Sequence, residues 1–211
     1  KGLKMFGAIE FESGDFQFME SLYYSLSEKS FKRLKEEGLS KEILRVLKGL
    51  KNQIFQQLEP FMEAVSNLMG TPFVKEWKET LLKSAQVSGK FNGEKYVEFL
   101  QQLNQHFKAP IILIEDGAPY HTCGIVKDFL QRQGENFQIE SLPTFSPDFN
   151  PIEKLWKNTK RDATHLKYFK TFEELRASVF KVFKKFLEDT TQVIRVMKKL
   201  KNEADLIAFS L

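Results

Sequence analysis

The sequence has very little cysteine. Cys123 is the single one among 211 residues. That excludes an intramolecular disulfide and any zinc site built from a cysteine cluster, and it fits a reducing compartment. Long hydrophobic runs are also missing. The cleanest, Ile111 to Ile114, falls far short of the roughly 20 apolar residues that cross a bilayer, so no membrane association is expected. The chain starts at Lys1 rather than Met, and no signal-peptide pattern follows. It is therefore expected to be a piece of a longer polypeptide, cytoplasmic in location. Aspartate is scarce as well: Asp15 is the only one before Asp116. What is plentiful is phenylalanine. Twenty-one of them, in a chain 42% apolar and 28% charged, exclude intrinsic disorder. The length suits one ordinary domain, or one domain with a large insertion.

The net charge of +4 is unevenly spread. Residues 151–201 hold 14 Lys/Arg against 6 Asp/Glu, a net of +8, and the remainder sums to −4. A basic C-terminal third points to contact with a polyanion such as DNA. A solvated set of lysine-rich helices would have the same composition.

Along the chain, Met5, Phe6, Ala8 and Ile9 read as a strand. Glu12 to Asp15 read as a turn, and Phe16 and Phe18, alternating with Gln17 and Met19, as a second strand of a hairpin. From Leu22 to Val87 the pattern turns helical, with no strand signal. Ile43, Leu47, Leu50, Ile54, Leu58, Phe61, Val65 and Leu68 recur at steps of three and four. Pro60 should kink or split that stripe. Gly38 and Gly70 read as helix stops and Thr71-Pro72 as a helix start. Three or four helices are expected, forming either a small bundle packed on a parent domain or a dimerisation hairpin. After Gly93, helix and strand alternate. Tyr96, Phe99, Leu100 and Leu103 share one face of a helix over 94–107. Residues 110–114 read as a strand buried on both faces. Helices over 125–133, 151–165 and 171–186, a strand over 137–142 and a basic amphipathic segment over 190–207 complete the order. The expected architecture is a mixed α/β sheet flanked by helices, with a helical insertion.

Two stretches carry the candidate chemistry. Asp116 follows the strand IILIE directly, at the edge where open α/β sheets bind ligands. An Asp before Gly also initiates turns. The second stretch is LPTFSPDFNPIEKLWKNTK, residues 142–160. Asn150 suits a helix N-cap and Pro151 the first helical position, which puts Glu153 in the first turn. Glu153 could close a capping box or pair with Lys157. If its helix packs across the sheet, Asp116 and Glu153 can converge at one edge. Two hard oxygen ligands favour Mg²⁺ or Mn²⁺ over zinc, and such metals suit phosphodiester cleavage. Lys154, Lys157, Lys160 and Arg161 crowd the outer face of the same helix, as backbone-gripping residues would. Trp156 and Leu155 read as core residues. His121, five residues after Asp116, is a candidate auxiliary group or a tie between turn and helix.

IILIEDGAPYH and LPTFSPDFNPIEKLWKNTK closely resemble the second and third acidic motifs of the mariner-superfamily DDE transposases, most strongly the bacterial and archaeal insertion-sequence branch. Asp116, His121, Leu142, Pro143, Ser146, Pro147, Asn150, Pro151, Ile152, Glu153 and Trp156 stand where that pattern puts them. The hairpin over 1–21 is similar to that family's second and third strands, and the resemblance covers residues 1–21 and 90–190. It implies a ribonuclease H-like fold, with a catalytic domain over 1–21 and 88–190, a helical insertion over 22–87 and a basic tail over 191–211. It also implies Asp116 and Glu153 as metal-holding catalytic residues, metal-dependent strand cleavage and transfer, and a prokaryotic, nucleoid-associated setting. The partners implied are terminal inverted repeats and target DNA, with a second copy of the chain as a candidate partner.

The sequence departs from that pattern in three places. Gly117 stands in place of the usual Asn, and the stretch 22–87 has no counterpart in the family. The family's first catalytic Asp falls upstream of Lys1, and Asp15 sits in a turn and is a poor replacement. Residues 1–211 alone are therefore expected to bind Mg²⁺ weakly and not to nick DNA. A related metal nuclease, or an inactive DNA-binding remnant, are the rival readings.

Overall fold

A computed structural model describes residues 3–55, 57–108, 110–143 and 149–198. In chain order its elements are β1 (Met5–Ile9), β2 (Phe16–Glu20), β3 (Leu22–Ser25), α1 (Glu28–Glu36), α2 (Lys41–Leu47), α3 (Leu58–Met69), α4 (Thr71–Ser84), β4 (Gln86–Gly89), α5 (Gly93–Phe107), β5 (Ile111–Glu115), α6 (Gly124–Gln133), β6 (Phe137–Ser141), α7 (Pro151–Thr164) and α8 (Phe172–Glu188). Residues 191–198 are helical too. The rest of the basic tail, like Ser146 and Pro147, lies outside the described residues. The chain divides into two units: residues 1–4 with 20–90, and residues 5–19 with 91–211. No helix among the described residues is long and apolar enough to cross a membrane.

The first unit holds the stretch 22–87, which the sequence marks as helical. It has four helices, where three or four were expected, and strands bound it on both sides. β3 and β4 pair antiparallel, Leu22 opposite Gly89 and Ser25 opposite Gln86. Four-residue strands are too short to show a period, and their pairing joins positions more than sixty residues apart. The apolar stripe is also not one helix. Between α2 and α3 the chain makes a 3₁₀ turn over Lys48–Leu50 and then reaches β3, where Tyr24 and Phe55 exchange two backbone hydrogen bonds of 2.8 Å. Leu47, Leu50, Phe61 and Val65 are buried as the stripe requires, whereas Ile54 is 70% exposed. Pro60 falls in the first turn of α3, where an amide hydrogen has no helical partner to lose, so it starts a helix instead of kinking one. Gly38 and Gly70, at φ +99° and +84°, end α1 and α3, and Pro72 opens α4.

The second unit is a mixed α/β structure. The β1–β2 hairpin lies between helices. Phe6, Ala8 and Met19 join the core of α5, where Tyr96, Phe99, Leu100 and Leu103 are all buried. Phe16 and Phe18 face the other way, onto Trp156 of α7 and Phe180, Phe183 and Phe186 of α8. Period-two alternation in the hairpin thus serves two helix layers. β5 and β6 pair in parallel, Ile111 opposite Phe137 through Glu115 opposite Ser141, with α6 as the crossover. β5 is not buried on both faces as its apolar run suggested. Ile111 and Leu113 pack onto the α5–α6 core, but Ile112 and Ile114 are 66% and 60% exposed. A run of apolar residues cannot say which of its faces will be covered.

Candidate active site

Asp116 sits immediately beyond β5. Leu142 donates its amide to the Glu115 carbonyl at 2.7 Å, so the motif that starts at Leu142 leaves the sheet beside Asp116. The Asp116 side chain is 61% exposed. Its Oδ1 accepts from the Ala118 amide at 3.3 Å, the local bond of a turn-forming Asp. A 3₁₀ turn over Pro119–Thr122 follows. It folds His121 back, so that Nδ1 donates to the Asp116 carbonyl at 2.8 Å. The His121 side chain is 8% exposed, between the rings of Tyr96 and Tyr120 at 4.4 and 4.3 Å. Burial lowers its pKa and favours the neutral ring.

Sequence reasoning missed two neighbours, Glu115 and Tyr96. Glu115 ends β5 on the inward face, in step with Ile111 and Leu113, and is 8% exposed. It accepts a hydrogen bond from the Tyr96 hydroxyl. Burial, helped by the Asp116 charge, pushes the Glu115 carboxyl up to about 7, although the Tyr96 bond pulls the other way. Burial also raises the Tyr96 and Tyr120 hydroxyls, Tyr120 to about 12, so both keep their protons. The signal that could have found Glu115 is period-two alternation carried one residue past the apolar run. Tyr96 was legible only as a core residue of α5.

Glu153 is in the first turn of α7 and exposed. Asn150 is the N-cap, without a side-chain cap bond. Leu155, Thr159 and Ala163 are buried on the opposite side of α7. Lys157, Lys160 and Arg161 are exposed, whereas Lys154 is half-buried. Trp156 is half-buried and packs on Phe16 and Phe183. Arg161 pairs with its neighbour Asp162 at 2.8 Å.

β1 links the two acidic segments. The Phe6 ring packs on Tyr120, four residues after Asp116, at 5.9 Å. A Cβ on the next residue, Gly7, would lie 2.6 Å from Trp156 and 3.2 Å from Ile152. Consecutive residues on opposite faces of one strand thus hold the Asp116 loop and the first turn of α7.

Comparison of the sequence with curated proteins gives no match. Two solved structures of the mariner transposase Mos1 are similar. Its strand transfer complex is 24% identical with a TM-score of 0.44, covering 56% of this chain and 36% of that one. Its catalytic domain is 23% identical with a TM-score of 0.43, covering 55% of this chain and 61% of that one. The chain therefore spans under two thirds of either. The family model described as DDE superfamily endonuclease matches residues 76–176, a stretch that contains Asp116, His121 and Glu153. Over residues 76–176, just under half of its length, the chain is therefore similar to DDE superfamily endonucleases.

Proposed function

We propose that this chain is the catalytic part of a DDE transposase with a ribonuclease H-like fold, of the bacterial and archaeal insertion-sequence branch. The intact transposase cuts DNA at terminal inverted repeats and joins the freed 3′ ends to target DNA. The observation that supports this most is the shared anchorage of the two acidic segments on Phe6 and Gly7 of β1.

The donor chemistry fits a divalent metal. Asp116 and Glu153 are both solvent-facing carboxylates, hard oxygen donors suited to Mg²⁺ or Mn²⁺. Among the described residues no group of three or more His, Cys, Asp or Glu forms a ready metal cage. Mg²⁺ does not need one: it commonly binds through one or two carboxylates, retained waters and substrate phosphates. When bound there, the metal supplies charge stabilisation for phosphodiester exchange. The protein's own part is positional. Asp116 is held at the sheet edge by its bond to Ala118. Glu153 is carried on a helix that Trp156 seats on β1. Lys157, Lys160 and Arg161 lie further along the exposed side of that helix and grip DNA phosphates, with Lys154 at its margin.

Glu153→Gln decides the matter in the full-length gene product. As a metal ligand, Glu153 tolerates Gln poorly, because a neutral amide is a weak donor to Mg²⁺. As an exposed residue of a first helical turn it tolerates Gln well. Loss of Mg²⁺-dependent cleavage at almost unchanged Tm is expected. Normal cleavage by the variant would sink the metal role.

A further inference from the structure

Three oxygens surround one nitrogen of His121. Nδ1 lies 2.8 Å from the Asp116 carbonyl, 3.2 Å from Glu115 Oε1 and 3.5 Å from Asp116 Oδ1. A carbonyl oxygen can only accept, so Nδ1 must carry the hydrogen. In the neutral ring the lone pair is then on Nε2. The two oxygens of Glu115 divide their work: Oε2 takes the Tyr96 hydroxyl while Oε1 faces His121. Tyr96 comes from α5, an element separate from the Asp116 loop, and its ring also lies against the imidazole, tilted by 33°.

We propose that Tyr96 and Glu115 are positioning residues of the DDE site. Tyr96 holds one oxygen of the Glu115 carboxyl, which turns the other onto His121 and locks that ring as its Nδ1–H tautomer within the loop that carries Asp116. The role assigned in catalysis rests on the transposase reading; the lock itself does not. A ring so held offers Nε2 as an acceptor for a water or a sugar hydroxyl and cannot present it as a donor. Fixing one tautomer in advance spares the site a reorganisation during reaction.

The test is NMR of the chain labelled with ¹³C and ¹⁵N at its three histidines, His121 being assigned by its loss in His121→Asn. The wild type is expected to show His121 as the Nδ1–H tautomer. In Tyr96→Phe and in Glu115→Gln the Nδ1–H population is expected to fall, with far-UV circular dichroism unchanged. In the full-length gene product, kcat for DNA cleavage is expected to drop about tenfold in each variant at unchanged KM. If Tyr96→Phe fails to fold, the near-isosteric Glu115→Gln carries the test. An Nδ1–H tautomer that persists in a folded variant with normal kcat overturns the proposal. So does a wild-type His121 in the Nε2–H form. A tautomer shift in the variants, with no metal-dependent cleavage by the wild type, supports the lock and removes the transposase reading instead.

Discussion

The indole of Trp156 occupies the space where Gly7 would carry a side chain. A Cβ built on Gly7 falls 2.6 Å from Cζ2 and 2.7 Å from Cη2 of that ring. This contact seats α7 on β1, three residues from Glu153. Gly7→Ala must therefore push the ring or the helix away. Overpacking of this kind costs about 1–3 kcal/mol. A lower Tm is expected for Gly7→Ala, partly restored in the double variant Gly7→Ala/Trp156→Phe. A Tm for the single variant equal to wild type would show that α7 is not seated by this contact.

Lys157 and Lys160 share the exposed side of α7 with Glu153, whereas Lys154 is half-buried. If these lysines grip phosphates, reversing two charges removes two counterion-releasing contacts. For Lys157→Glu with Lys160→Glu, the slope of log affinity for duplex DNA against log salt is expected to flatten by about 2. A slope equal to that of the wild type would place the DNA elsewhere.

Glu115 has a carboxyl raised to about 7 in the folded protein, chiefly by burial. A carboxyl raised on folding contributes stability that is fully present below its unfolded value near 4.5 and lost as pH rises through about 7. Tm is therefore expected to fall between pH 5 and pH 8, by at most roughly 3 kcal/mol of stability from this group. Glu115→Gln cannot ionise and should flatten that fall. An equally steep fall in the variant would assign it to other groups.

Gly117 stands directly after Asp116, has no positive φ and would meet nothing within 4 Å of an added Cβ. Neither space nor backbone demands glycine here. Gly117→Asn, the residue that the resembling family carries at this point, is expected to fold with unchanged or slightly raised Tm, because it also restricts the unfolded chain. A drop of several degrees would show that the turn depends on glycine.

Sequence alone determined most of the local elements of this protein. Alternation of Phe16 and Phe18 with Gln17 and Met19 marked the β1–β2 hairpin, and the spacing of Tyr96, Phe99, Leu100 and Leu103 marked the buried face of α5. Gly38, Gly70 and Pro72 punctuated the helices where the structure has them. Side-chain period and backbone chemistry are properties of a few neighbouring residues, so they can be read along the chain. Asp116 and Glu153 were legible for the same reason, each next to its own strand end or helix start. Only tertiary structure decided what pairs at long range. β3 finds β4 across the whole insertion. Phe55 pairs its backbone with Tyr24 of β3, and the Asn52 amide reaches the Leu26 carbonyl, although the spacing of this stretch suits a helix equally well. Ile112 and Ile114 look like core and stay exposed, because burial depends on which layers arrive. The Tyr96–Glu115–His121 arrangement belongs to this second kind. Each residue has an ordinary local role, and the contact between them exists only once α5 has packed against the end of β5.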